Sequence, residues 1–194
     1  MRSFFVILLL GCSLFCSAQN SFKHEKEERI QKTNFPQNAI EFLENNLPKK
    51  IKKVKYYREQ DSLKSSYEIK LKYKGRKYSI EFSKQGILED VEITIKAKSI
   101  KPKTLEKIKK HMYNAYSSFR LKKIQRQYQN ENSKPKKVLK DAFSGNTKEN
   151  FSYEIIAEVK KDKKRFFIEI TFNKDGNFKQ VRTIIQSSYD HILY

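Results

Sequence analysis

"SYEIKLKYKGRKYSIEFSKQG", residues 66–86, returns in altered form as "SYEIIAEVKKDKKRFFIEITFNKDG" at residues 152–176. In the first stretch Tyr67, Ile69, Leu71 and Tyr73 alternate with Glu68, Lys70, Lys72 and Lys74. Successive strand side chains point to opposite faces, so this spacing predicts a strand with one apolar and one polar face. After Gly75 the pattern resumes, with Tyr78, Ile80 and Phe82 set against Lys77, Ser79 and Glu81. The pair reads as a hairpin with its apolar face on a core and its polar face in water. Gly86 ends it, free to take the left-handed conformation of a tight turn. Val91, Ile93 and Ile95 predict a third strand, and "IKKVKYYRE" at 51–59 is a weaker candidate for a fourth.

The later copy keeps this order. Tyr153, Ile155, Ala157 and Val159 take the inward places of its first strand, and Phe166, Ile168, Ile170 and Phe172 those of its second. Gly176 of "NKDG" stands where Gly86 stood; Val181, Thr183 and Ile185 follow. The loop "KKDKK" makes the second hairpin longer than the first. A proline-led helix precedes each copy, one from Pro36 with Ala39, Ile40, Leu43 and Leu47 on one side. The other runs from Pro102 with Leu105, Ile108, Met112 and Tyr116. Proline suits the first helical turn, and this spacing is that of a single helix face. Each helix is followed by a related phrase, "IKKVKYY" at 51 and "LKKIQRQ" at 121.

The expected fold is therefore α+β. It consists of two tandem repeats, residues 35–96 and 101–186, each a helix plus a four-stranded antiparallel sheet, with the helices on one sheet face. The second repeat carries an insertion at 129–150 whose Asn, Ser, Lys and Gly content reads as loop. Within it Val138, Leu139, Ala142 and Phe143 suit one amphipathic turn. Residues 19–34, with "KHEKEER", read as a solvated leader, and the terminal "YDHILY" as a segment that packs.

The first residues, "MRSFFVILLLGCSLFCSAQN", combine a positive Arg2, an apolar run from Phe4 to Leu10, and small residues up to Ala18. That is the form of an export signal, residues 1–18, cleaved between Ala18 and Gln19. The run is too short to remain as a membrane span. "LLGC" at 9–12 offers the alternative of lipidation at Cys12, but "CSA" before Gln19 fits cleavage better. Cys12 and Cys16 are the only cysteines, and both leave with the signal. The exported chain is then expected to stand on its hydrophobic core, without disulfides or Cys-ligated zinc.

These features together resemble a PepSY-like repeat of the kind grouped with beta-lactamase-inhibitor-like proteins. In the first unit the likeness rests on the helix "FPQNAIEFLENNL", the strand entry "IKKV", the strand "YEIKL" and the turn "IEFSKQG". In the second it rests on "KPKTLEKI", "LKKI", "YEIIAEV" and "IEITFNKDG". "SAQ" after the apolar run is similar to export signals of Bacteroidetes-type bacteria. The resemblance covers nearly the whole exported chain. It implies an exported or periplasmic α+β protein that binds or inhibits secreted peptidases. The inhibitor-like name comes from a two-repeat protein that binds beta-lactamases through a concave sheet. This chain departs from that protein in having no tryptophan and, once exported, no disulfide. Both differences count against beta-lactamase inhibition. The resemblance carries over no catalytic residue.

A search for chemistry returns no enzyme. His24, His111 and His191 are the only histidines, and their spacing fits neither a metal site nor a triad. "NKDGN" at 173–177 is faintly calcium-like, but no acidic ligand follows at the required distance. No cofactor motif is present. The formal charge of +20 points to an anionic partner or to a lysine-rich background. Two basic faces stand out: Lys70, Lys72 and Lys74 on one strand, and Lys160, Lys161, Lys163, Lys164 and Arg165 around the second hairpin. The expected function is an exported, non-enzymatic binding module of the cell envelope that contacts a protein or peptide and possesses inhibitor-like character. The alternative is a factor binding anionic lipid or glycan. Nucleic acid is not expected, because the chain is exported and most aromatics sit at inward positions. Membrane association would need lipidation at Cys12 or the basic surface.

Overall fold

The computed structural model describes residues 21–61, 64–131, 134–148 and 150–185. The stretch expected as an export signal, with Cys12, Ala18 and Gln19, and the "YDHILY" end lie outside these residues. Ten strands and three α-helices follow in chain order. They are β1 (Ser21–Lys23), β2 (Glu25–Ile30), α1 (Gln37–Asn46), β3 (Lys52–Asp61), β4 (Lys64–Tyr73), β5 (Arg76–Ser83) and β6 (Leu88–Thr94). After these come α2 (Pro102–Ala115), β7 (Ser118–Gln129), α3 (Pro135–Ser144), β8 (Ser152–Lys161), β9 (Lys164–Asn173) and β10 (Phe178–Ile184).

All ten strands form one sheet in the order β1-β10-β9-β8-β7-β6-β5-β4-β3-β2. β1 and β2 stand at opposite ends of this order, yet only His24 separates them in the chain. The sheet therefore curls until its two ends meet at residues 21–30, giving a nearly closed barrel. β1 pairs parallel with β10, Lys23 lying opposite Ile184, and β2 pairs antiparallel with β3, Glu25 lying opposite Asp61.

This architecture corrects the fold expected from the sequence. The two helix-plus-four-strand repeats are not separate sheets. β6 pairs with β7, from Asp90 opposite Gln129 to Thr94 opposite Gln125, so hydrogen bonding runs without a break through both stretches. Strand dominates over helix. The stretch expected as a solvated leader supplies the two strands that close the ring, its side chains alternating between half-buried Lys23, Glu25 and Glu27 and exposed His24, Lys26 and Glu28. The stretches at 66–86 and 152–176 are two hairpins of this one sheet.

The helices cover one face. Ala39, Ile40 and Leu43 of α1, Ile108 and Met112 of α2, and Leu139 and Ala142 of α3 bury against Ile69, Ile80, Phe82, Val91, Ile155, Ile170 and Phe172 in a single cluster. A fully buried Ile or Phe side chain contributes roughly 1.5–3 kcal/mol. α3 forms within the insertion and starts at Pro135; it ends at Gly145, whose φ of 70° is the left-handed form that glycine tolerates. Phe143 of α3 stacks on Tyr78 at 4.4 Å. The second hairpin is no longer than the first: Asp162 and Lys163 turn it in two residues, as Lys74 and Gly75 turn the other, all four at positive φ.

Candidate functional site

The face opposite the helices, expected in water, is the inside of the barrel. All ten strands contribute side chains to a cavity of about 340 Å³ there, from Lys23 of β1 and Glu25 of β2 round to Arg182 of β10. Ten of the 22 acidic residues line it, against five of the 42 basic ones. Enclosure changes the meaning of the strand alternation. Glu68 is 7% exposed and Glu169 1%, although both belong to polar faces.

Salt bridges tie this interior together, several across the closing seam. Lys23 Nζ lies 2.5 Å from Glu169 Oε2 and 2.6 Å from Glu25. The Arg182 guanidinium donates to Glu169 Oε1 and to Asp61 Oδ2, each at 2.6 Å, and so joins β10 to β3. His24 N–H adds a bond to Asp61 Oδ1 at 3.1 Å. Lys70 pairs with Glu27 and lies 3.2 Å from Glu68 Oε2.

Burial raises the carboxyls that lack enough cation. Burial and the neighbouring Glu68 push Glu27 to about 7 against the pull of Lys70. Glu92 also reaches about 7, by burial opposed by Lys123 and Lys23. Burial lifts Glu59, Asp90 and Glu154 well above the ordinary range, with nearby carboxylates adding to it. Glu169 is the exception: Lys23 and Arg182 outweigh its burial and hold it at about 2. Carboxylate oxygens of Glu25, Glu27 and Glu59 lie within 4.8 Å of one another. Lys70 already occupies Glu27 and Lys23 pairs with Glu25, while burial favours the protonated form of Glu59. The interior can hold protons and charge, and the Ser66 hydroxyl on its wall donates to Glu59 Oε2 at 3.4 Å.

Toward the other end of the barrel the chemistry reverses. A recess of about 790 Å³ opens there, lined by Lys53 and Lys55 of β3, Lys70 and Lys72 of β4, Lys77 of β5, Lys96 just after β6, and Lys122 and Lys123 of β7. No carboxylate lines it among the described residues. Lys70, Ser79, Lys123 and Gln125 border both spaces, so the barrel passes from an acidic interior to a basic opening. The ladders explain this end. Lys52 lies opposite Lys72, Lys72 opposite Lys77, and Thr94, the last residue of β6, opposite Gln125 of β7.

Both basic groups marked in the sequence belong to this end. The β4–β5 turn carries exposed Lys74, Lys72 borders the recess, and Lys70 points to the interior, not to solvent. Ser118 pairs with Lys160 and Lys160 with Arg165, which brings the β8–β9 turn, with Lys161, Lys163 and Lys164, to the same end. Arg165 lies 3.5 Å from Glu158. Sequence reading missed Lys53, Lys55, Lys77, Lys96, Lys122 and Lys123. The available signal was the dilysine shared by "IKKV" and "LKKI".

The other candidates are structural. His111 stacks on Phe178 at 4.7 Å, and burial lowers its pKa. Asn173 Oδ1 accepts from the N–H groups of Asp175 and Asn177, so the calcium-like phrase is a self-bonded turn. His191 lies outside the described residues. No helix among the described residues is long and apolar enough to cross a membrane.

Comparison with known proteins gives the fold a parallel. No family model matches the chain, and no curated protein does. The fold is similar to the crystal structure of a DUF2874 family protein from Bacteroides ovatus ATCC 8483. That likeness has a TM-score of 0.51 at 10% identity, covering 77% of this chain and 89% of the other. At that identity the likeness is one of fold.

Proposed function

We propose that this chain is an exported, non-enzymatic binding protein of the cell envelope, and that its ligand is a polyanion held at the lysine-lined end of the barrel. The observation that carries this reading is the recess with eight lysines and no carboxylate on its wall. Charges of one sign gathered in a concavity raise the local concentration of opposite charge and speed its capture. Concentrating carboxylates inside the barrel leaves the remaining surface still richer in cations. A protein or peptide partner would meet the same chemistry only with an acidic segment.

Binding to a sulfated oligosaccharide, followed by calorimetry across a salt series, tests the proposal. The expected result is binding that weakens steeply as salt rises, since exposed charges are screened over about 8 Å at physiological ionic strength. Affinity unchanged by salt, or no binding to this probe or to phosphatidylglycerol vesicles at low salt, would refute it.

A further inference from the structure

We infer that the two dilysine phrases form a two-sided clamp within this recess, built to hold a chain that carries repeated phosphate or sulfate groups. The inference rests on the polyanion reading and narrows it to particular residues and a ligand class. In β3 the register passes from Lys52 opposite Lys72 to Lys55 opposite Lys70, which leaves Lys53 and Val54 bulged against one residue of β4. In β7 it passes from Leu121 opposite Ala157 to Lys123 opposite Ile156, so Lys122 is the extra residue there. Bulges bend a strand and re-aim its side chains, and barrel rims are a common place for them. Here both occur in the related phrases "IKKV" and "LKKI", and both place lysines on the recess wall. β3 and β7 stand four places apart in the strand order, so the two bulges flank the recess wall that β3 to β7 form. Lys53 is held at φ 56°, a region where a side chain is strained.

Between the bulges lie Lys72, Lys77 and Lys96. Together with Lys53 and Lys55 they have no carboxylate partner among the described residues, so their charge is available to a ligand. Lys122 is shared with Glu158 at 3.0 Å. Lysine ammoniums bind phosphate-type groups as point charges with three rotatable donors, which suits oxygens approaching from several directions. The recess exceeds the size of a single such group, which favours a chain. Aromatic faces at the opening are already covered, Tyr57 by Lys70 at 5.0 Å and Phe167 by Lys122 at 5.8 Å. Base stacking of the kind that holds single-stranded nucleic acid therefore has no platform at these two rings.

The test compares two doubly substituted chains of equal charge, Lys53→Gln with Lys122→Gln and Lys161→Gln with Lys164→Gln, titrated with inorganic polyphosphate and with a sulfated oligosaccharide. The clamp pair is expected to lose about tenfold in affinity and to flatten the salt dependence by roughly one to two ions, the exposed hairpin pair much less. Lys53→Gly, which removes the charge and suits the positive φ, should show the same direction of loss in a chain that folds. Equal losses from both pairs would overturn the clamp and leave the polyanion reading standing. No binding by the unsubstituted chain would remove both. Tighter binding to phosphatidylglycerol vesicles than to either soluble chain would overturn the ligand class.

Discussion

Glu169→Gln removes the carboxylate on which the seam converges. The side chain is 1% exposed and receives Lys23 from β1 and Arg182 from β10, while Arg182 reaches on to Asp61 of β3. The two cations hold its pKa near 2 against an ordinary 4.5. At 1.36 kcal/mol per pK unit this corresponds to roughly 3 kcal/mol of native-state stabilisation. A similar magnitude, at the low end of the roughly 3–5 kcal/mol for removing one partner of a buried ion pair, follows because Lys23 and Arg182 are left with Glu25 and Asp61 alone. The sign is fixed by the depressed pKa. The contribution is complete above the unfolded value and fades as pH falls toward 2. Urea denaturation at pH 7 should therefore show the variant less stable by about 3 kcal/mol, with the difference shrinking at pH 3. A loss below about 1 kcal/mol at pH 7, typical of an exposed pair, would refute the reasoning. So would a loss that is the same at both pH values.

The raised carboxyls act in the opposite direction. Glu27 and Glu92 near 7, with Glu59, Asp90 and Glu154 higher than usual, make the native state take up protons. Stability should consequently fall by several kcal/mol as pH rises from about 4.5 to 7, and a flat or rising denaturation profile over that range would contradict the enclosed interior. Lys163→Gly should stabilise by about 1 kcal/mol, because Lys163 sits at φ 65° in a two-residue turn where glycine is unstrained; a lowered melting temperature would count against that turn. Gly75→Ala should cost about 1 kcal/mol from its φ alone. Gly86→Ala should cost more by denaturation, since a Cβ there would overlap the Asn38 side chain of α1, whereas nothing lies near Gly75.

Much of the sheet was legible because alternation is local. Tyr67 to Tyr73 and Tyr153 to Val159 announce strands with one face for helices, and Pro36 and Pro102 open helices where proline is favoured. The destination of the polar faces was not legible. A strand with Glu68 and Lys70 on one side reads the same whether that side meets water or nine other strands. Closure is decided by a contact between residues distant in the chain, Lys23 with Ile184 and Glu25 with Asp61. "KHEKEER" was misread for the same reason: a charged strand that lines a charged interior has the composition of a solvated leader. The bulges hid most of the basic recess. They shift Val54 and Ile124 out of simple period two, so counting by twos cannot assign Lys53 and Lys122 to a face. Nothing in the sequence told that the lysines of the two hairpins share an end.

An amide chemical-shift titration with inorganic polyphosphate puts the basic end of the barrel directly to the test. Shifts are expected to concentrate at residues 52–55, 70–77, 94–96 and 120–123, leaving Glu81 to Asp90 at the far end unmoved. Shifts scattered over the whole surface, or gathered at the far end, would contradict a binding site at the lysine-lined opening.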